Sequence, residues 1–370
     1  MPRMRRVTRY AGLATAMIAL WAGVAAAGTT TERSGSILIF PKVLFDGGHD
    51  TLVQITNTKN SVVHAHCFYV NAAPICSSGV GDCLAHTCTG SCDPQWQEVD
   101  FNIWLTGQQP THWAVGSGRF TNPLDVPCDP LTPNYDCDGA GLDPGRIPPV
   151  TDPFRGELRC IEIDPSGAPI NGNSLKGEAT LLTDDGDASK YNAVALIGEP
   201  NQDTNFTLCL GGGVTDDCPS GAEYEGCGQL IKMTHFAEGA DSPLFGPTST
   251  VSTELTLVPC AADFEFQKPT SIVVHFDVTN EFEQPLSALT TIDCWGDFFF
   301  DDVSNIFKVR TVGTRLLQTE LRAADGSQSG FVGVVEEFHS ADGGQGRTAF
   351  NLHEEGTRAE TDLIRLPEGP

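Results

Sequence analysis

SILIFPKVLFDGGHDTLVQITNTKNSVVHAHCFYV, Ser36 to Val70, is the stretch whose reading decides the fold. Apolar and β-branched residues come in short alternating runs, and Gly47-Gly48 and Lys59-Asn60 interrupt them where a chain would turn. That is the pattern of consecutive antiparallel strands. The expected strands run from Ile37 to Val43, Thr51 to Thr58 and Ser61 to Val70. In the third, Val63, Ala65, Cys67 and Tyr69 share one face and His64, His66 and Phe68 the other, because side chains alternate along a strand. The cysteine face is expected to be the core.

Working outward, Thr270 to Phe298 reads as a fainter copy. In both stretches an apolar strand enters Thr-Asn (Thr56-Asn57, Thr279-Asn280). A polar turn follows, then a strand carrying a cysteine before an aromatic (Cys67-Phe68, Cys294-Trp295). A second pair follows in the same order: aligning Gly156 with Gly330 puts Leu158 on Val332, Cys160 on Val334 and Glu162 on Glu336. Two matched blocks in order predict an internal duplication. Nothing after residue 27 sustains helical periodicity for three turns, so the chain is expected to be all-β, as two tandem immunoglobulin-like β-sandwich domains. The first sandwich spans 28–210, enlarged by a Cys-rich insertion (73–95) and an Asp/Pro/Gly-rich loop (124–150). A Cys-bearing connector covers 211–250, and the second sandwich 251–370.

Residues 1–27 read as a secretory signal: Arg3, Arg5, Arg6 and Arg9 precede the apolar run Ala11 to Val24, and small residues at Ala25 to Ala27 offer a cleavage site. The run is short for a permanent span, and the mature chain is expected to have no transmembrane segment. The net charge is −26, and loss of the leader's arginines makes the remainder more acidic still. Such a chain repels nucleic acid and anionic lipid, so neither is an expected partner. All 13 cysteines lie beyond the leader and are expected to form a disulfide framework in an oxidising, exported location, whether periplasmic, extracellular or cell-surface.

The runs SILIFPKVLFDGGHDTLVQITNTKNSVVHAHCFYV, DFNIWLTGQQPTHW, GELRCIEIDPSG, LKGEATLL, TELTLVPCAADFE and VTNEFEQPLS resemble an uncharacterised family of secreted bacterial proteins. The resemblance covers most of the chain beyond the leader. It implies export and full-length homology, and it attaches no activity, ligand or catalytic residue.

Three constellations are candidate metal sites. Asn134, Asp136, Asp138 and Gly139 fit the first half of a calcium loop, with Asp143 the nearest substitute for the closing acidic ligand; the alternative is an acidic loop pinned by a Cys128–Cys137 disulfide. Calcium is thus the one candidate cofactor. His64 and His66, at i and i+2 on a strand face, have the geometry of a transition-metal pair, with His112 or His275 available as a third ligand; the alternative is a solvated strand face. Cys83, His86, Cys88 and Cys92 carry zinc ligands, but an oxidising compartment and the spacing favour disulfides. Trp295 and Phe298 to Phe300 beside Asp293, Asp297, Asp301 and Asp302 read either as a sugar-stacking surface or, preferentially, as inter-domain packing. Two further disulfides are expected: Cys67 with Cys160, on neighbouring strands of one sheet, and Cys260 with Cys294.

No G-x-S-x-G, HExxH, Walker or dinucleotide motif is present. The expected function is therefore a secreted or cell-surface, non-enzymatic binding or structural protein whose partner is a protein or glycan at the cell envelope. Recognition would sit on the loops Cys76 to Cys92 and Cys128 to Gly145. The alternative is an exported metal-binding protein, including a metal-dependent enzyme.

Overall fold

The computed structural model describes residues 30–367 except 82, 84–86, 95, 120–143, 204, 325–328 and 343. The expected signal peptide, the calcium loop with Asn134, Asp136, Asp138 and Asp143, and the Cys128–Cys137 pair lie outside the described residues.

Three nine-residue strands open the chain: β1 (Ile37–Phe45), β2 (His49–Asn57) and β3 (Val63–Asn71). Short strands β4 (Pro74–Cys76) and β5 (Cys92–Pro94) pair within the Cys-rich loop. Then come β6 (Gln97–Leu105), β7 (Pro110–Ala114), β8 (Phe154–Ile163), β9 (Leu175–Thr183), β10 (Ala188–Asn192), β11 (Val194–Leu196) and β12 (Thr207–Leu210). The second half holds β13 (Gly228–Phe236), β14 (Thr250–Pro259), β15 (Ala262–Asp263), β16 (Ser271–Asn280), β17 (Pro285–Asp293) and β18 (Gly296–Phe299). Two single-turn helices, α1 (Phe300–Val303) and α2 (Val309–Val312), lead to β19 (Leu316–Ala323), β20 (Phe331–Ala341), β21 (Gly344–Asn351), β22 (His353–Arg358) and β23 (Asp362–Arg365).

The chain is all-β and built from small antiparallel sheets. The first has order β11-β1-β8-β3-β6 and the second β10-β9-β2-β7. A third, β12-β23-β15, includes one short parallel pairing. The fourth runs β17-β16-β19-β13-β22 and the fifth β18-β14-β20-β21.

Three apolar clusters hold these sheets. Leu38, Cys67, Tyr69, Ile103 and Leu158 from the first sheet meet Val53, Ile55, Ala179 and Leu181 from the second. Val274, Phe276, Ile231 and Leu321 from the fourth meet Leu255, Leu257, Phe331 and Val335 from the fifth. Between them a middle cluster joins Ile37, Ile39, Phe68 and Ile161 to Leu208, Leu210, Val258, Val332 and Ile364. Each such side chain stabilises the fold by about 1.5–3 kcal/mol when fully buried. The cysteine face of β3 is the core face, as expected, and the histidine face looks toward the middle cluster.

The expectation of two tandem immunoglobulin-like domains holds at its coarser level alone, all-β antiparallel sheets. Among the described residues, five sheets of three strands or more, the number of blades in a small propeller, stand where two sandwiches supply four. The additional sheet draws Thr207–Leu210, Ala262–Asp263 and Asp362–Arg365 from both halves of the chain.

The matched blocks do not occupy matched places, which corrects the duplication. β2 and β3 lie in different sheets, whereas β16 and β17 form a hairpin in one sheet with register Ser271↔Asp293 to Thr279↔Pro285. Likewise β8 and β9 are split between sheets, while β20 and β21 pair directly. Alternating sequence reports which face of a strand is buried, not which strand lies beside it.

The described disulfides are Cys67–Cys160, Cys76–Cys88, Cys83–Cys92, Cys209–Cys218 and Cys227–Cys260. Cys67 and Cys160 are direct cross-strand partners in the ladder. Cys260 bonds Cys227 rather than Cys294, which remains a buried free thiol. The correction has a local cause: Cys294 sits in the bend after β17 at φ 55°, and nearness in sequence gave it no cysteine across the sheet. Several disulfides fit an oxidising, exported environment. Among the described residues no helix is long and apolar enough to cross a membrane.

Candidate functional site

Two groups of ionisable side chains stand out, and their accessibility separates them. The first is a closed seam. Lys42, fully buried in the apolar strand β1, places Nζ at 2.5 Å from Glu254, 3.0 Å from Asp297 and 2.9 Å from Glu336. Arg347 Nε donates to Glu336 at 2.6 Å, and Ser189 Oγ donates to the same oxygen at 2.7 Å. Burial alone would favour the neutral amine, but Asp297, Glu254 and Glu336 outweigh it and hold the lysine's pKa above its ordinary value. Burial pushes Glu336 the other way too, yet Lys42 and Arg347 bring it down to about 2. Glu254 rises to about 7, through burial and the neighbouring Asp297.

Arg159 makes a second tie. It is buried and paired with Glu157 at 2.8 Å, and it donates to the carbonyls of Cys260 and Pro259, each at 2.6 Å. Trp295 Nε1 donates to Pro41 O at 2.8 Å, and Phe298 and Phe300 pack with the fourth and fifth sheets' core. The aromatic group at Trp295 to Phe300 is thus packing between and within the halves, not a sugar-stacking surface.

The second group is open to a cleft of about 110 Å³ over the outer face of β3 and β6. Alternation dictates its floor. Antiparallel pairing sets His64 opposite Trp104, His66 opposite Asn102 and Phe68 opposite Asp100, so the even-numbered side chains of both strands share one face. The far wall is the turn after β8, where Asp164 Oδ1 accepts from Ser166 N at 2.7 Å, Ser166 Oγ at 2.6 Å and Ala168 N at 3.0 Å. Those bonds outweigh burial and hold the Asp164 carboxyl below its usual range. Phe206 and Leu366 close the rim.

Inside the cleft His66 Nε2 lies 2.8 Å from Asp100 Oδ2. That hydrogen bond holds Asp100 below the ordinary carboxylate range. The His66 ring lies 4.2 Å from Phe68, which stacks at 4.4 Å on Phe264 of the middle cluster. Trp104 meets His64 edge-on at 5.7 Å. Farther along β6 on the same face, burial with Asp100 and Asp263 nearby pushes Glu98 up to about 8, so it carries a proton at neutral pH. The buried atoms Glu98 Oε2, Asn102 Oδ1 and Trp96 Nε1 have no hydrogen-bond partner within the protein. Buried polar groups are normally paired, and of these three residues Asn102 lines the cleft, while Glu98 and Trp96 lie beyond it.

The cleft offers aromatic surface, an acceptor amide and an oriented His–Asp pair. The cleft's one serine, Ser166, gives its hydroxyl to Asp164. These are groups that receive hydroxyls and amides.

The two histidines thus share a cleft with Asp100, but among the described residues no three ligand atoms there lie within 4.8 Å of one another. His112 stands on β7 in the second sheet, beside a separate groove of about 470 Å³. His275 stands on β16, 3.3 Å from Asp277. Among the described residues, three ligand atoms lie within 4.8 Å of one another at Cys83, Cys88 and Cys92, and disulfides to Cys92 and Cys76 occupy these sulfurs.

Asp100, Asn102, Trp104 and Glu98 were not singled out from sequence, although EVDFNIWLT carries the signal: its even positions form a polar and aromatic face. Lys42 was also missed, and its signal was a lone lysine within ILIFPKVLF. No protein-family model matches the chain, and no curated protein is significantly similar to it.

Proposed function

We propose that this chain is an exported, non-enzymatic binding protein of the cell envelope that takes the hydroxyl-bearing edge of a glycan in the cleft between His66 and Trp104. The observation that carries the reading is the buried, unpartnered Asn102 Oδ1 beside the His66–Asp100 pair and the Trp104 ring. A sugar presents both things this surface lacks: hydroxyl donors for the amide and carboxyl oxygens, and an apolar ring face for the indole. Export rests on the leader and the disulfides. The resemblance to a secreted bacterial family accords with it.

The same proposal takes each face-to-face pair of sheets as an immunoglobulin-like sandwich rather than as blades of a propeller. Strands of paired sheets alternate along the chain, with β1, β3, β6 and β8 in one and β2, β7 and β9 in the other, and side chains of both fill one core. A propeller blade would instead take consecutive strands and keep its own faces.

The test is a titration of the purified mature chain with a panel of soluble cell-surface glycans, read by tryptophan fluorescence and calorimetry. Binding by one class that Trp104→Ala and Asn102→Ala each weaken at least about tenfold is the expected outcome. Binding that both variants leave unchanged, or none across the panel, would sink the reading.

A further inference from the structure

Sheet edges expose unpaired backbone groups, and proteins ordinarily guard them with charge, brevity or a cover. Among the described residues, three edge strands have eight residues or more. β6 carries Glu98 and Asp100, and β21 carries Arg347. β17 differs: its one charged residue is the terminal Asp293, and the eight residues before it, Pro285 to Ile292, read PLSALTTI without a charge.

The register identifies which of its groups are open. Cys294 N donates to Thr270 O and Asn280 N to Gln284 O, so the even-numbered pairs along β16 and β17 exchange hydrogen bonds. The odd-numbered residues Ser287, Leu289 and Thr291 therefore turn both N–H and C=O away from β16. Their side chains are exposed, Leu289 at 58%. Leu286 and Ala288 point the other way and pack with Val303 and Ile306 against the fourth and fifth sheets' core. Pro285, with no N–H, bounds the open stretch at one end, and the bend at Cys294 bounds it at the other.

We infer that β17 is a self-association edge, pairing antiparallel with β17 of a second copy about a two-fold axis at Leu289. Three features favour a second copy over a foreign strand. Leu289 is the midpoint of the strand, so the symmetric register sets Leu289 on its own counterpart and Ser287 on Thr291, and each of these pairs is of the bonded type. About six inter-chain hydrogen bonds result, two for each of three bonded pairs. The chain carries a net charge of −26, so most approaches of one copy to another are repulsive, whereas the open stretch from Ser287 to Thr291 carries no charge and Asp293 falls at the end of the paired segment. Two-fold dimers are also the commonest closed assembly.

The experiment uses the mature chain at micromolar to millimolar concentration, with mass read by sedimentation equilibrium and amide exchange by mass spectrometry. A rise toward twice the chain mass, with exchange at Ser287, Leu289 and Thr291 slowed about tenfold as concentration increases, supports the edge. Leu289→Lys puts two like charges at the axis and is expected to return the protein to one chain with its circular dichroism unchanged. The exchange measurement on the unaltered protein decides the matter should that variant fold poorly. A single-chain mass throughout, association without protection of these three amides, or a dimer that Leu289→Lys leaves intact would each overturn the inference. Glycan binding plays no part in these readouts, so they stand apart from the test of the cleft.

Discussion

Thr56-Asn57 and Thr279-Asn280 begin alike and end in different places. Each asparagine is buried, and each accepts from the backbone N–H two residues on, Lys59 N at 2.8 Å and Phe282 N at 3.0 Å. The local turn chemistry is shared. Beyond it, the Asn57 amide reaches out of its turn to the carbonyls of Leu105 at 3.2 Å and Thr106 at 2.9 Å, on the far side of the first core. The Asn280 amide serves Gln284 Oε1 within its own hairpin, and Val312 O, both at 2.9 Å. In the first case the chain crosses between layers; in the second it folds back beside itself. Similar turns therefore mark the end of a strand without choosing where the next one goes.

If the two regions were independent copies, damage in one would leave the other standing. The seam makes the opposite case. Lys42→Met would leave Glu254, Asp297 and Glu336 buried without their shared cation and is expected to cost about 3–5 kcal/mol, lowering a single unfolding transition. Calorimetry that instead resolves two transitions, with only one lowered, would break the view of a joined molecule.

The two asparagines sharpen the comparison directly. Asn57→Ala deprives the carbonyls of Ser61, Leu105 and Thr106 of a donor and is expected to cost about 2–3 kcal/mol, against about 1–2 kcal/mol for Asn280→Ala. Equal losses by urea unfolding would mean that the turn alone matters and the crossing adds nothing.

The smallest effect concerns the outer face of β3 and β6, where Glu98 is half-buried beside the cleft. Burial raises Glu98 from 4.5 to about 8. The folded state then holds a proton that the unfolded state has released, so this group's contribution is intact below pH 4.5 and is lost as pH rises through about 8. Glu98→Gln is expected to flatten the fall in melting temperature across that window relative to the unaltered chain. Parallel curves for the two proteins would show that the face is more open to water than its burial indicates.

Much was legible from residues alone. Ile37 to Val70 as three strands and the cysteine face of β3 as a core face follow from alternation, although the opposite face, with Phe68 and Val70, is buried as well, and the Cys67–Cys160 partnership came from placing the two on neighbouring strands of one sheet. The pair His64 and His66 lies on the face of β3 that lines the cleft. Asp100, Asn102 and Trp104 did not emerge, because which strand lies beside β3 is a matter of pairing across the sheet rather than of spacing along the chain. The Cys260–Cys294 expectation failed for the same reason.

Sequence by itself determined the strands, their buried faces, the turn residues and the oxidising chemistry, because each depends on a residue and its near neighbours. Tertiary structure decided which strands share a sheet, which cysteines meet, and that a lysine in an apolar strand would find three carboxylates from the other half. Those outcomes hang on contacts between residues well apart in the chain, 93 positions for Cys67 and Cys160 and more than two hundred for Lys42 and its carboxylates. Local alternation has no means of encoding the partner at the far end.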